Sequence, residues 1–404
     1  MTAAFDAAAR VIARADELAG CTERPGEITR RYGSPALLEA RGLLDGWMRA
    51  AGMTTSVDRL GNLIGATATG DDRPAFVIGS HFDTVVDAGR YDGTLGILAG
   101  IGCAEQVRDG GQPPTHDLTV AAFCDEEGAR FHTAYLGSRA FVTGDLPADV
   151  LMTAADGASL ESAIATTGNP DAPAVPGVPP RAVGYLEAHI EQGPVLDDRG
   201  APVGVVTAIT GAARLSVTLT GTAGHAGTVP MPLRHDPFSA AAEIALAVER
   251  LARSDGEAVA TVGRVSVEPG AANVIPGRVS ISIDVRHPDD ARRDALLGGV
   301  REIVAAVAVE RGVEARIEVV HDERSVPCDE ILAGRLRRAA IGIGLHPPAL
   351  PSGAGHDAAV LAEVMPAAML FVRCRDGISH NPAESAAVED VAAAIAVLTE
   401  VVRT

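Results

Sequence analysis

The sequence predicts an α/β chain: a helix-covered, mostly parallel sheet, interrupted by an inserted α+β unit of order β-α-β-β-α-β. Three observations carry this. Short apolar runs alternate with amphipathic helical patterns in the first 211 residues and again after 327. Between them the chain changes to alternating strand patterns around two longer helical ones, the split βαβ arrangement. The length, 404 residues with 47% hydrophobic side chains, suffices for two cores. One domain is therefore expected over 1–211 and 327–404, and an inserted one over 212–326, with hinges near Gly211 and Val326.

In the first part, 36–51 has helical spacing, and 54–57 and 62–66 are strand-like around a turn at 59–61. The apolar run 75–79 ends at Gly79-Ser80-His81. A helix is expected over 95–108 and a buried strand over 118–124. The Pro- and Gly-rich stretch 168–180 is a loop. In the insert, strands are expected over 213–221, 258–267, 278–286 and 313–320, with helices over 236–254 and 289–311. The α/β pattern resumes with a helix over 330–343, a strand over 368–373 and a last helix over 387–403.

Composition excludes several classes. The formal net charge of −19 repels phosphate backbones, so nucleic acid is not an expected partner. Aromatics at 3% leave few stacking platforms. The chain has no lysine, which removes Schiff-base, pyridoxal-phosphate, P-loop and Ser–Lys chemistry. Five scattered cysteines without CxxC spacing fit a reducing compartment. No apolar run reaches the roughly 20 residues that span a bilayer, and the first 14 residues lack a secretory pattern. A cytoplasmic protein with no membrane partner is expected.

Five short segments bring together residue types that bind metals. His81 and Asp83 follow an apolar strand, where open α/β sheets place their sites, and a carboxylate two residues on can orient an imidazole. Asp92, between Tyr91 and Gly93, precedes a helix; it reads as a ligand or as an N-cap. Asp125-Glu126-Glu127 follow another buried strand. Such a trio needs a cation or solvent to relieve its repulsion, and one member could act as a base. His189 alternates with apolar neighbours, and taken alone also reads as a core histidine. His380 sits between the last strand and last helix. Imidazole with carboxylate suits zinc, manganese, cobalt or nickel better than calcium or magnesium. No cysteine joins the set, so a finger-type zinc site is not expected.

Eight ordered motifs now resemble a known family: GSHFDTV (79–85), YDGTLG (91–96), DEEGARF (125–131), LEAHIEQG (186–193), GTAGHAGTVPM (221–231), NVIPG (273–277), SGAGHDA (352–358) and SHNPAE (379–384). They resemble the amidase/hydantoinase/carbamoylase branch of the M20 metallopeptidases along nearly the whole chain. LEAHIEQG and SHNPAE are specific to that branch, since peptide-cleaving relatives usually have a carboxylate in place of His189. The resemblance implies two divalent ions per subunit (Zn, Mn, Co or Ni) bridged by Asp92, one completed by His81 and His189, the other by Glu127 and His380. It implies Glu126 as general base, Asp83 as the residue orienting His81, and His225 as an oxyanion stabiliser reaching the neighbouring subunit's site. It also implies Arg286 as the anchor for a substrate carboxylate, with Gln192, Asn273 and Gly355 as further substrate contacts. The insert would be a lid through which the chain forms a homodimer.

The implied reaction is hydrolysis of a C–N bond in a small ureido or amide acid, foremost an N-carbamoyl-L-amino acid. Allantoate amidohydrolase and β-ureidopropionase are the alternatives, and an N-acyl amino-acid amidase or aminopeptidase a more remote one. Ala88, Arg90 and Val229 depart from the family's pattern, which bears on the substrate. His116, His132, His235, His287, His321 and His346 fall outside the ligand motifs and receive no catalytic role.

Overall fold

Runs of apolar and β-branched residues with almost no charge can be buried on both faces, and they form the centre of the main sheet. The computed structural model describes residues 2–67, 73–111, 114–148 and 150–404. It divides into two compact units, one of residues 1–207, 328–350 and 354–404, the other of 208–327 with 351–353.

The first unit opens with helices α1 (Thr2–Ala19) and α2 (Pro35–Ala50), then strands β1 (Thr54–Val57), β2 (Leu63–Ala66) and β3 (Ala75–His81). Helix α3 (Thr94–Asp109), strand β4 (Asp117–Phe123), helices α4 (Leu136–Thr143) and α5 (Leu160–Thr167) and strand β5 (Ala182–Ile190) follow. Helix α6 (Val195–Asp198) and strand β6 (Val203–Ile209) lead out of it. The second unit contains β7 (Gly211–Thr220), β8 (Gly224–His225), α7 (Pro237–Asp255), β9 (Val259–Glu268), β10 (Val274–Ile275), β11 (Arg278–His287), α8 (Asp290–Arg311), β12 (Glu314–Glu323) and β13 (Val326–Pro327). The chain then supplies α9 (Glu330–Gly342), β14 (Ala349–Ser352), α10 (Asp357–Leu361), β15 (Ala367–Val372) and α11 (Val388–Arg403).

The main sheet runs in the order β1-β2-β4-β3-β5-β15-β6. Its centre is parallel: β3 pairs with β4 and β5, and β5 with β15. Its margins are antiparallel, at β1–β2, β2–β4 and β15–β6. All seven residues of β3 are buried. Register places His81 opposite Phe123 of β4, and His189 of β5 opposite Phe371 of β15. The C-terminal ends of the parallel strands therefore lie side by side. Helix α3 is apolar on all sides from Leu95 to Ala104 and accordingly buried there, packed on β3, β5, α1 and α11.

The second unit is a four-stranded antiparallel sheet, β12-β7-β11-β9, with its own core. Leu215, Val217, Ile281 and Ile283 meet Ile244 and Val248 of α7 and Val300 and Val304 of α8. Truncating one of these to alanine is expected to cost ~2–5 kcal/mol. Both helices start on aspartate caps, Asp236 and Asp289, and end on left-handed glycines, Gly256 and Gly312. Along β11 burial alternates residue by residue, as one covered face requires. Strand β6 and helices α4 and α5 were not anticipated from sequence. β6 is a short strand antiparallel to β15 whose apolar run follows closely on Gly200-Ala201-Pro202, and α4 and α5 are only eight residues each.

Candidate metal centre

Strand-end geometry gathers the five donors. His81 is the last residue of β3, Glu127 follows β4, His189 is next to last in β5, and His380 lies beyond β15. Asp92 sits ahead of α3, whose N-cap is Gly93 rather than Asp92. The Asp92 carboxylate turns to the histidines instead of capping the helix. Gly93 has φ of 66°, and a Cβ there would lie 2.4 Å from the His81 ring. Only glycine satisfies both conditions.

Around Asp92 the donors divide. Oδ1 is 3.9 Å from His81 Nε2 and 3.2 Å from His189 Nε2. Oδ2 is 2.9 Å from His380 Nε2, which is itself 3.3 Å from Glu127 Oε1. His81, Asp92 and His189 form one cluster that could hold an ion, and Asp92, Glu127 and His380 another. His81 also clusters with Glu126 and Glu127, and His189 with Glu187 and His356.

The donor chemistry fits cations. His189 Nδ1 lies 2.9 Å from the Ile190 carbonyl, and His81 Nδ1 3.2 Å from the Asp83 carbonyl. A carbonyl can only accept, so in the neutral rings Nδ1 carries the hydrogen and Nε2 is left as an acceptor beside Asp92; on His189 it also accepts the Gly93 N–H at 3.2 Å. A lone pair facing a carboxylate needs a cation or a proton between them. Without an ion the nearby carboxylates favour the protonated imidazoles. Burial opposes the charge on His81 and His189, but the carboxylates Asp83 and Asp92 outweigh it and hold both pKa values above the usual one, His81 well above. Hydrogen bonds to Asp92 and Glu127 raise His380 to about 10. Burial would raise Asp92, but bonds to His189 and His380 hold it well below the carboxylate range.

The neighbours brace this centre. Asp83 accepts the backbone N–H groups of Glu126 (3.0 Å) and Glu127 (3.2 Å), and its Oδ1 is 3.4 Å from His81 Nδ1. One carboxylate thus joins the ends of β3 and β4. Glu126 is buried, and burial pushes its carboxyl well above the ordinary range, an effect that the His81 charge opposes and the Asp357 charge reinforces. Gln192, expected at the substrate, here directs its amide to both Asp92 oxygens and to Ser379 Oγ, each at 3.3 Å. Gln192 and His380 both adopt left-handed φ, 57° and 52°. Non-glycine residues hold that conformation at a cost of about 1–3 kcal/mol when their surroundings dictate it. At Gly355 a Cβ would lie 1.9 Å from Tyr135 Oη.

Sequence reasoning missed two braces. Glu384 is buried and accepts the N–H groups of Tyr91 (2.6 Å) and Asp92 (3.1 Å). Burial and the Asp92 charge push it up to about 7. Its place in SHNPAE was the available signal. Arg30 is fully buried and donates to the carbonyls of Phe82 (2.6 Å), Leu18 (2.8 Å) and Cys21 (3.2 Å), pinning the residue between His81 and Asp83. Nothing in Arg30-Arg31 distinguishes it from a surface charge.

The second unit carries the other three expected residues. His225 of β8 pairs with Val274 of β10, and the Ala226 N–H donates to the Asn273 carbonyl, so His225 and Asn273 share one ribbon. His225 is exposed, and its Nδ1 accepts the Gly227 N–H at 3.0 Å. In the neutral ring that leaves Nε2–H as an outward donor. Arg286, near the end of β11, makes two bonds to Asp284 (2.8 and 3.2 Å) and one to the Gly353 carbonyl (2.6 Å).

Residues 77–404 match the profile of peptidase family M20/M25/M40. The chain belongs to that family. It is a hydrolase, and its relatives within the family act on C–N bonds. It is 40% identical to an N-carbamoyl-L-amino acid amidohydrolase of Geobacillus stearothermophilus, covering 96% of each chain. It is 39% identical to a probable allantoate deiminase of Oryza sativa subsp. japonica, over 95% of this chain and 85% of that one. A solved amidase of the hydantoinase/carbamoylase family from Burkholderia multivorans superposes with a TM-score of 0.91 at 34% identity, covering 98% of this chain and 97% of the other. Like this M20 chain, that amidase has the mixed α/β architecture with a separate smaller domain. Among the described residues no helix is long and apolar enough to cross a membrane.

Proposed function

We propose that the chain hydrolyses the C–N bond of an N-carbamoyl-L-amino acid at a centre of two divalent ions, Zn, Mn, Co or Ni. One observation carries the reading: the two oxygens of Asp92 face separate donor pairs, His81 with His189 and His380 with Glu127. A single carboxylate placed this way could hold an ion on each side. Bound there, such ions would acidify water and polarise the scissile carbonyl.

The protein's own groups do the rest. Glu126 takes the proton of the attacking water and delivers it to the leaving nitrogen; its raised pKa suits both duties. Asp83 holds His81 in orientation. His225 Nε2–H stabilises the developing oxyanion, a contribution that is usually large. Arg286 receives the substrate carboxylate, since a guanidinium matches two oxygens at once. Asn273 and Gly355 complete the substrate contacts, and Gln192 would join them by exchanging its bonds to Asp92 for the substrate. The carbamate released decomposes to carbon dioxide and ammonia. The reading includes a homodimer through the second unit, whose marginal strand β9 leaves Val259 and Val265 exposed.

Near-complete coverage of the Geobacillus chain supports the carbamoyl amino acid. The similar identity to an allantoate deiminase supports allantoate as the second reading. The test is ammonia release after dialysis against chelator and return of each metal. Substrates would be N-carbamoyl-L-amino acids, 3-ureidopropionate and allantoate, with N-acetyl amino acids followed by amine release. Metal-restored turnover fastest on a carbamoyl amino acid is expected. Turnover only on N-acetyl substrates would overturn the reading.

A further inference from the structure

Two loops supply opposite sides of the Asp92 centre: the one ahead of α3, with Asp92 itself, and the one after β15, with Ser379 and His380. One buried side chain ties them together. Glu384 Oε1 accepts the N–H groups of Tyr91 at 2.6 Å and Asp92 at 3.1 Å. Its Oε2 accepts from Ser379 Oγ at 3.1 Å. Ser379 precedes His380 directly, and its hydroxyl oxygen receives the Gln192 amide at 3.3 Å. A continuous chain of bonds thus runs from the Asp92 backbone through Glu384 and Ser379 to Gln192, which returns to the Asp92 carboxylate.

The pocket for Glu384 is built on its other side as well. A Cβ on Gly89 would lie 2.1 to 2.4 Å from the carbon and both oxygens of the Glu384 carboxyl. Gly89 is not among the residues with positive φ, so an alanine there is barred by Glu384 and not by the backbone. The glycine at this position leaves room for the carboxylate.

We propose that Glu384 is a positioning residue: it fixes the Asp92 backbone against the His380 loop, so that Asp92 Oδ2 meets the His380–Glu127 pair and the ion on that side is held. The proposal rests on the two-ion reading above. Glu384 is not one of the donors around Asp92; it acts through the two loops. Partners behind a ligand are typically worth about 10–100-fold in metal affinity, so its loss should weaken the second ion by roughly that factor and leave the first, at His81 and His189, nearly unchanged.

The experiment is a titration of chelator-stripped full-length protein with manganese or zinc alone, in competition with a fluorescent chelator. Wild type, Glu384→Ala, Glu384→Gln and Gly89→Ala would be compared, each checked for folding by circular dichroism. Wild type is expected to bind two ions. Glu384→Ala and Gly89→Ala are expected to bind the first normally and the second about 10–100-fold more weakly. Glu384→Gln should stay within a few-fold of wild type, because its amide oxygen can still accept two N–H groups and its NH2 can donate to Ser379. Wild-type second-ion affinity in Glu384→Ala overturns the proposal, as does damage in Glu384→Gln equal to that in Glu384→Ala. If Glu384→Ala does not fold, Gly89→Ala decides alone, and a normal second ion there overturns it. Fewer than two ions in wild type defeats the two-ion reading itself, and is distinguished by appearing before any substitution.

Discussion

The two units treat their candidate functional residues in opposite ways. In the first, His81, Asp92 and His189 are 2–3% exposed, with His380 alone of the four exposed, and Asp83, Gln192 and Glu384 bond across from one segment to another. In the second, His225 and Asn273 are exposed on a two-residue ribbon, and Arg286 is partly exposed near a strand end. Buried, cross-braced donors are held in advance for a ligand that stays. Exposed groups on a short ribbon can afford to wait for a ligand that comes and goes. Substitutions in the first unit should therefore change metal binding or the chemical step, and those in the second should change turnover with the metal intact.

The largest expected effect is at Glu126. Glu126→Gln should retain both ions and lower kcat by about 10²–10⁴-fold, the range of general acid–base contributions. Metal content by elemental analysis beside kcat checks it, and near-normal turnover would remove Glu126 as the base. Next is His225→Ala, with unchanged metal content and kcat lower by about 10²–10³-fold, as for loss of one oxyanion donor. Loss of metal in that variant would break the contrast between the units. Arg286→Ala should raise KM for acids about 10-fold or more, given the roughly 1.5–3 kcal/mol of a charged hydrogen bond. A substrate amide lacking the carboxylate should be unaffected. Equal effects on acid and amide would make the residue merely structural, through its bonds to Asp284 and Gly353.

The smallest effect is a pH dependence confined to the first unit. In stripped protein His81 and His189 have raised pKa values, and His380 lies at about 10. Ions must displace these protons, so metal affinity should weaken as pH falls from 8 to 6, with proton release seen by calorimetry in buffers of different ionisation enthalpy. The raised pKa also sets the sign for stability. The contribution of His380 is complete below about 6.5 and is lost as pH rises toward about 10. The stripped protein's Tm should therefore decline across that interval. A flat profile would show that these imidazoles are not proton-loaded in the absence of metal.

What was legible in the sequence follows the same division. The strand ends carrying His81, Glu127 and His189 could be read because apolar runs stop abruptly at polar, metal-binding residues. The insert could be read because its strands alternate and its helices begin on Asp236 and Asp289. Side-chain direction was not legible: Asp92 looked equally like an N-cap, and only the folded loop turns it toward three imidazoles. The braces were not legible either. Arg30 is more than 50 residues from its partners Phe82 and Thr84, and Glu384 nearly 300 from Tyr91 and Asp92. Gln192 shows how one residue type serves two purposes, since an amide suited to substrate is here bonded to Asp92.

Asp92 is proposed to hold two ions on which turnover depends. The most direct test is to count ions per chain while following ammonia release, as manganese or zinc is returned to stripped wild type and to Asp92→Ala. Activity in wild type is expected to rise with filling to two ions per chain, and Asp92→Ala to bind neither firmly and to be inactive. Full activity with one ion per chain, or an Asp92→Ala protein that still holds two, would contradict it.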